Sequence, residues 1–185
     1  MHTEIEAKLK IESPERIEAR LVELGAEFIG ELRQTDYHFD DAKATLRKGD
    51  KALRIRRQVS AGRTQLLMGY KGPKEKSNFK KRQEIEFELS DVEAAEKLLG
   101  ALGYRRALVV EKRRRLWRVG GCEVAVDHLD LLGDYLEIEG PDDEKINGVQ
   151  ESLGLSHLAH IPKSYAGLIR ARSRELTGEH HKSAH

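Results

Sequence analysis

At 185 residues the chain is long enough to bury a core within one domain, and 35% of it is charged at a formal net charge of only +1. That balance excludes a general nucleic-acid binder, which needs a lopsided basic excess. The single cysteine, Cys122, excludes an intrachain disulfide; with no basic-then-apolar leader in MHTEIEAK and no apolar run of membrane-spanning length, the expectation is a cytoplasmic protein with no membrane partner.

Residues 3–11 read as a strand in which Glu4, Glu6, Lys8, Lys10 and Glu12 share one side, and Ile5, Ala7, Leu9 and Ile11 the other. Ser13-Pro14-Glu15 then supplies an N-cap, a proline suited to the first helical position and an acid for the first turn. The helix that follows stacks Ile17, Leu21 and Leu24 and stops at Gly25. Residues 26–40 are extended, with Phe28, Tyr37 and Phe39 as β-favouring positions, and 40–50 is a polar loop. Strands resume at 52–59, 63–71 and 81–89, with a turn-prone, mobile loop at 72–79. Asp91 caps a second helix carrying Val92, Ala95, Leu98, Leu99 and Leu102. Strand runs at 104–118, 122–129 and 134–139 are joined by Gly120-Gly121 and Leu132-Gly133, and helical segments follow near 142–153 and 164–172. Residues 1–172 form one domain on this reading, and 173–185 a disordered polar tail whose His180, His181 and His185 are floppy rather than metal-binding.

The charged-face pattern of the first strand recurs. Arg54 and Arg56 oppose Leu53 and Ile55. Arg82, Glu84, Glu86 and Glu88 oppose Ile85, Phe87 and Leu89. Glu123 and Asp127 oppose Val124 and Val126, and Tyr135, Glu137 and Glu139 oppose Leu136 and Ile138. The run 104–118 carries charge on both faces, with Lys112 and Arg114 on one and Glu111, Arg113 and Arg115 on the other. Either the charges face solvent around an apolar core, or they line a lumen while the apolar faces carry an outer layer of helices. The amphipathic helices need an apolar surface to cover, which favours the lumen. The fold class is therefore α+β, a closed antiparallel eight-stranded β-barrel with helices packed outside. So many charges are tolerable in a lumen only if they pair or meet a charged ligand. Acids and bases together suit a polyanion whose phosphates meet the bases, with Mg²⁺ or Mn²⁺ on carboxylate oxygens.

ExExK at Glu4-Ile5-Glu6-Ala7-Lys8 resembles the signature of the CYTH superfamily, the triphosphate tunnel metalloenzymes. Matches continue in order through Leu53-Arg54-Ile55-Arg56, Tyr70-Lys71-Gly72-Pro73, Arg82-Gln83-Glu84-Ile85-Glu86, Leu102-Gly103-Tyr104 and Val110-Glu111-Lys112-Arg113-Arg114. Val126-Asp127-His128-Leu129, Leu132-Gly133-Asp134-Tyr135-Leu136-Glu137-Ile138-Glu139 and Pro162-Lys163-Ser164-Tyr165 complete a resemblance spanning about residues 2–170. The later segments look closest to class IV adenylyl cyclases and to thiamine triphosphatase-like proteins.

Position by position, the resemblance implies metal binding by Glu4, Glu6, Asp127, Glu137 and Glu139. It implies triphosphate binding by Lys8, Arg54, Arg56, Lys71, Arg82, Lys112 and Arg114. Lys163 is expected to close over the site, and Lys8, Lys71 and Lys163 are the candidates for a catalytic role. Glu84 and Glu86 fit the tunnel as ligands or internal ion-pair partners, and His38 reads as packing variation where the family more often has an aromatic. The implied activity is cyclase-like, ATP to cyclic AMP and pyrophosphate. The alternatives are hydrolysis of inorganic, thiamine or nucleoside triphosphate, and a non-catalytic polyphosphate or nucleotide sensor. The partner is a triphosphate-containing small molecule, and a homodimer is expected. Lys112-Arg113-Arg114-Arg115 reads as ion-paired or solvated surface rather than a nucleic-acid contact. Cys122 is read as a small core residue, and Trp117 and Tyr135 as packing rather than base-stacking groups.

Overall fold

The computed structural model describes residues 2–77 and 79–178. Strands β1 (His2–Lys10), β2 (Glu27–Asp40), β3 (Ala52–Ser60), β4 (Arg63–Lys71), β5 (Lys80–Glu88), β6 (Arg105–Val119), β7 (Cys122–Leu129) and β8 (Gly133–Glu139) close into one barrel in the order β1-β5-β4-β3-β2-β6-β7-β8. Every pairing is antiparallel. Closure removes the free edges that such charged strands would otherwise expose. Two hairpins turn on residues in the left-handed region, Ala61-Gly62 and Gly120-Gly121. At Gly120 (φ 60°) a Cβ would also come within 2.9 Å of Val149, so both backbone and packing ask for glycine.

The helices α1 (Pro14–Glu23), α2 (Thr45–Lys48), α3 (Val92–Ala101), α4 (Asp143–Ser152) and α5 (Tyr165–Thr177) lie outside the barrel or across its end. Asp91, Asp142 and Ser164 accept backbone N–H bonds at the starts of α3, α4 and α5. Ser13, expected to do the same for α1, makes no side-chain cap, and Pro14 alone marks that start. The expected loop 40–50 contains α2. Asp41 accepts N–H bonds from Lys43 and Thr45, and Asp40 accepts them from Leu46 and Arg47, fixing this short turn of helix to the end of β2.

The apolar strand faces point outward, as the lumen arrangement requires. Leu9, Val124, Leu136 and Ile138 are covered by Ile17 and Leu21 of α1 and Ile146 of α4, and Cys122 and Trp117 belong to the same core. Ile55 and Phe39 pack against Leu99 of α3, and Tyr165 and Leu168 of α5 cover Val110, Leu129 and Tyr135 at one barrel end. The outer layer is incomplete: Ile85 and Phe87 on β5 remain exposed. Helix α5 runs on to Thr177, into the stretch expected to be disordered, while His180, His181 and His185 lie outside the described residues. No helix among the described residues is long and apolar enough to cross a membrane.

Candidate active site in the barrel lumen

Alternation on the closed strands turns one side chain in two into the lumen, a cavity of about 550 Å³. Glu4, Glu6 and Lys8 enter from β1, Arg54 and Arg56 from β3, Lys71 from β4, and Lys80, Arg82, Glu84 and Glu86 from β5. Lys112 and Arg114 come from β6, Glu137 and Glu139 from β8, and Lys163 reaches in from the coil before α5. Asp127 of β7 lies behind this lining, fully buried. The other half of the basic run divides as strand parity requires: Arg115 pairs with Glu18 of α1 at 2.9 Å, and Arg113 is exposed beside Asp130.

The lumen charges occur as interlocked pairs. Lys8 meets Glu137 at 3.1 Å and Glu6 at 3.7 Å, Lys71 contacts Glu4 and Glu84, and Lys80 contacts Glu6. Arg54 reaches Glu86 at 3.1 Å and Glu84 at 3.5 Å, so both glutamates are ion-pair partners here. Arg114 donates to both oxygens of Asp127, at 2.7 and 2.6 Å, and also contacts Glu137. Burial and the adjacent Arg114 push the Lys112 ammonium down to about 8, against the pull of Asp127 and Glu137.

Among the lumen residues whose part the sequence reading missed, four matter most to these charges. Asp36 on β2 accepts a bidentate pair from Arg56, Nε at 2.6 Å and Nη2 at 2.8 Å, with Arg54 at 3.4 Å. Burial opposes its ionisation, yet Arg54 and Arg56 hold it well below the usual carboxylate range. Tyr165 donates its hydroxyl to Asp127 at 2.8 Å, and its ring carries the Lys8 and Lys112 ammonium groups 4.1 and 4.9 Å from its centre. Lys80 is the third, paired with Glu6. The fourth is His38, which faces the lumen and does not merely fill packing space.

Burial, then Arg54, Arg170 and Arg56, push the His38 ring down to about 4, outweighing the opposing pull of Asp36. Between that value and the ordinary 6.5 the unfolded chain binds the extra proton, so this group's contribution to stability is lost as pH falls from 6.5 toward 4. His38→Gln is expected to flatten that part of the stability–pH profile, measured as a difference curve by urea denaturation. An unchanged profile would remove the neutral buried imidazole.

The implied divalent metal can be tested against these groups. Among the described residues, no three His, Cys, Asp or Glu side chains converge closely enough to hold an ion as they stand, so the five expected carboxylates are not brought into one shell. Two observations nevertheless fit a cation near β1 and β8. Glu4 Oε2 is buried without a hydrogen-bond partner, and Glu139 is pushed up to about 7 by burial and by Glu4, with Glu6 and Glu84 adding to it. Glu139 stands without a base beside it, whereas at Glu4 burial is outweighed by Lys71 and Lys80, which hold its carboxyl below the ordinary value. Asp127 differs, because Arg114, Lys112 and Tyr165 already occupy its oxygens. Arg82 on β5, directly across from Glu4, and Arg54 on β3 each keep a buried Nε without an acceptor.

The CYTH domain family model matches residues 2–165. A protein of Methanocaldococcus jannaschii provisionally named an adenylate cyclase is 30% identical over 178 residues, 95% of this chain and 98% of that protein. The adenylate cyclase CyaB of Aeromonas hydrophila is 31% identical over 175 residues, 89% of this chain and 87% of the other. Among solved structures, a Pyrococcus horikoshii protein superposes with a TM-score of 0.79 at 28% identity, covering 91% of this chain and 99% of its own.

Proposed function

The chain belongs to the CYTH family, and we propose that it is a metal-dependent enzyme that breaks a phosphoanhydride bond of a triphosphate held in the barrel lumen. The observation that carries this reading is a set of unsatisfied groups of both signs in one lumen. Arg54 Nε and Arg82 Nε lack acceptors, while Glu4 Oε2 lacks a donor and Glu139 forms no ion pair among the described residues. A polyphosphate satisfies the donors and a divalent cation the acids, and neither alone satisfies both.

In this reading Arg54, Arg56, Arg82, Lys71, Lys112 and Arg114 bind and orient the phosphate oxygens; Asp36 fixes Arg54 and Arg56 in advance, and Asp127 fixes Lys112 and Arg114, so that little reorganisation accompanies reaction. Lys8, buried between Glu6, Glu137 and the Tyr165 ring, would stabilise charge developing on a leaving phosphate. Glu4, Glu6 and Glu139 would hold Mg²⁺ or Mn²⁺, which when bound supplies Lewis-acid polarisation of a phosphate oxygen. Asp127 serves this site by anchoring Arg114 and Lys112.

Hydrolysis is the reaction this geometry supports best, since water needs no seat of its own and the lumen is charged along its length. Cyclisation of ATP is the second reading, favoured by the names of the two relatives. It needs the ribose 3′-oxygen in line with the α-phosphorus, whereas hydrolysis needs a water in line with a terminal one. Incubation with ATP, inorganic triphosphate or thiamine triphosphate, each with Mg²⁺ or Mn²⁺, is expected to release orthophosphate. Cyclic AMP with pyrophosphate from ATP would establish the cyclase instead. Binding with no turnover under either metal would sink both and leave a sensor.

A further inference from the structure

Gln34 of β2 lines the lumen at 4% exposure, and its carbonyl oxygen Oε1 is buried without a hydrogen-bond partner. It lies in register with Gln58 of β3 on one side and Lys112 of β6 on the other. Lys112 turns to Asp127 at 3.2 Å and leaves that oxygen alone. Two residues along β2, Asp36 holds Arg56, so the oxygen stands about 7 Å along the wall from a phosphate-binding level.

The Gln34 amide is held in one sense. Its Nε2 donates to Gln58 Oε1 at 3.0 Å, Gln58 Nε2 donates to Gln65 Oε1 of β4 at 2.6 Å, and Gln65 Nε2 donates to Glu88 of β5. Strand register builds this relay: Gln34 faces Gln58, Gln58 faces Gln65, and Glu88 lies opposite Leu67, two residues from Gln65. An amide can present either end to a neighbour, whereas a carboxylate only accepts. Glu88 at the exposed rim therefore sets the sense of all three amides, and the innermost one shows the lumen an acceptor. The cations of the lumen suit phosphate oxygens, but a carbonyl oxygen repels them and takes a donor instead.

We propose that Gln34 Oε1 accepts a hydrogen bond from the attacking water and aims its lone pair at the terminal phosphorus, with Gln58, Gln65 and Glu88 as positioning residues that hold the oxygen in that sense. The proposal rests on the reading of the lumen as the site of triphosphate hydrolysis. Water needs no pocket, but in-line attack fixes where its lone pair points. The water oxygen bonds to the terminal phosphorus as the bridging P–O bond breaks, and that bond's electron pair stays on the diphosphate. Both water protons leave with the orthophosphate, so the amide takes none and only orients.

The test is steady-state hydrolysis of inorganic tripolyphosphate with Mg²⁺ or Mn²⁺, beside calorimetric titration of the full chain with tripolyphosphate in EDTA. That substrate carries no base or sugar to contact Gln34. Gln34→Leu is expected to lower kcat about a hundredfold and to keep the tripolyphosphate Kd. Gln65→Leu cuts the relay at an exposed residue without changing charge, so it tests the relay even if Gln34→Leu fails to fold; its kcat should fall by less, again at unchanged Kd. Glu88→Gln lets the relay reverse and turns Gln34 Nε2 to the lumen, so kcat should fall while tripolyphosphate binds more tightly, a pairing that loss of structure does not produce. Wild-type kcat in Gln34→Leu or in Gln65→Leu overturns the proposal. So does a fall in kcat matched by equally weakened binding in EDTA, which is the mark of a distorted lumen. Wild type that binds tripolyphosphate without hydrolysing it overturns the hydrolytic reading itself, which separates the two failures.

Discussion

Asp127→Ala is expected to destabilise the protein by about 3–5 kcal/mol, the penalty for leaving a buried charge without its partner. For a chain of this length that lowers the melting midpoint by roughly 6–20 °C. Asp127 is fully buried, and its two oxygens accept Arg114 at 2.7 and 2.6 Å, Lys112 at 3.2 Å and the Tyr165 hydroxyl at 2.8 Å. Burial alone would favour the neutral acid, but Arg114 and Lys112 hold its pKa below the usual range. Removing the carboxylate strands an arginine, a lysine and a phenol together in the wall between β6 and β7. Asp127→Asn keeps the shape, loses the charge and should fall between wild type and the alanine variant. Thermal melts without added metal decide the matter. A midpoint within a degree or two of wild type for Asp127→Ala would mean that these bonds carry no net stability.

Asp127 also marks what the sequence could and could not disclose. The barrel was legible because its strands alternate charged and apolar residues with period two, while α1 and α3 repeat apolar residues at helical spacing. Only a charged lumen under an outer helical layer serves both patterns. Which acids keep their oxygens free of bases was not legible, because a carboxylate held by two bases and one facing other acids look alike in sequence. Asp127 and Glu139 share the parity rule, yet one is saturated with donors and the other sits among Glu4, Glu6 and Glu84.

Asp36 and His38 were hidden differently. Residues 31–36 of β2 carry polar side chains on both faces, with Glu31, Arg33 and Thr35 alternating against Gln34 and Asp36, so alternation gave no signal. Register shifts near Gly30 and Phe39 blur the period further. Only the ladder partners settle the matter: Asp36 lies opposite Arg56, and His38 opposite Arg54. Tyr165 stood in view in Pro162-Lys163-Ser164-Tyr165, but its contact with Asp127 joins residues 38 apart in sequence. Strand pairing and the docking of α5 create such contacts, and neither is encoded locally.

Glu139→Gln is the counterpart experiment, with the opposite signature. Glu139 forms no ion pair among the described residues, so neutralising it strands no base. Its carboxyl is raised from 4.5 to about 7 by burial, then by Glu4, with Glu6 and Glu84 adding to it. The folded protein therefore keeps a proton that the unfolded chain has already released, and stability declines as pH rises from 4.5 through 7. Water at the exposed rim where Glu139 lies moderates that decline. The glutamine variant escapes it, so at pH 8 without metal its melting midpoint should equal or exceed that of wild type. Metal reverses the order. Wild type at a hundredfold excess of Mn²⁺ over Kd should gain about 2.7 kcal/mol, or roughly 5–10 °C, and the variant little. Turnover should fall by at least about a hundredfold, since the acids left behind share a cation less closely. A variant that loses turnover yet keeps the full Mn²⁺ stabilisation would place the ion elsewhere in the lumen. One that loses stability without metal would show that Glu139 pairs with a base in solution.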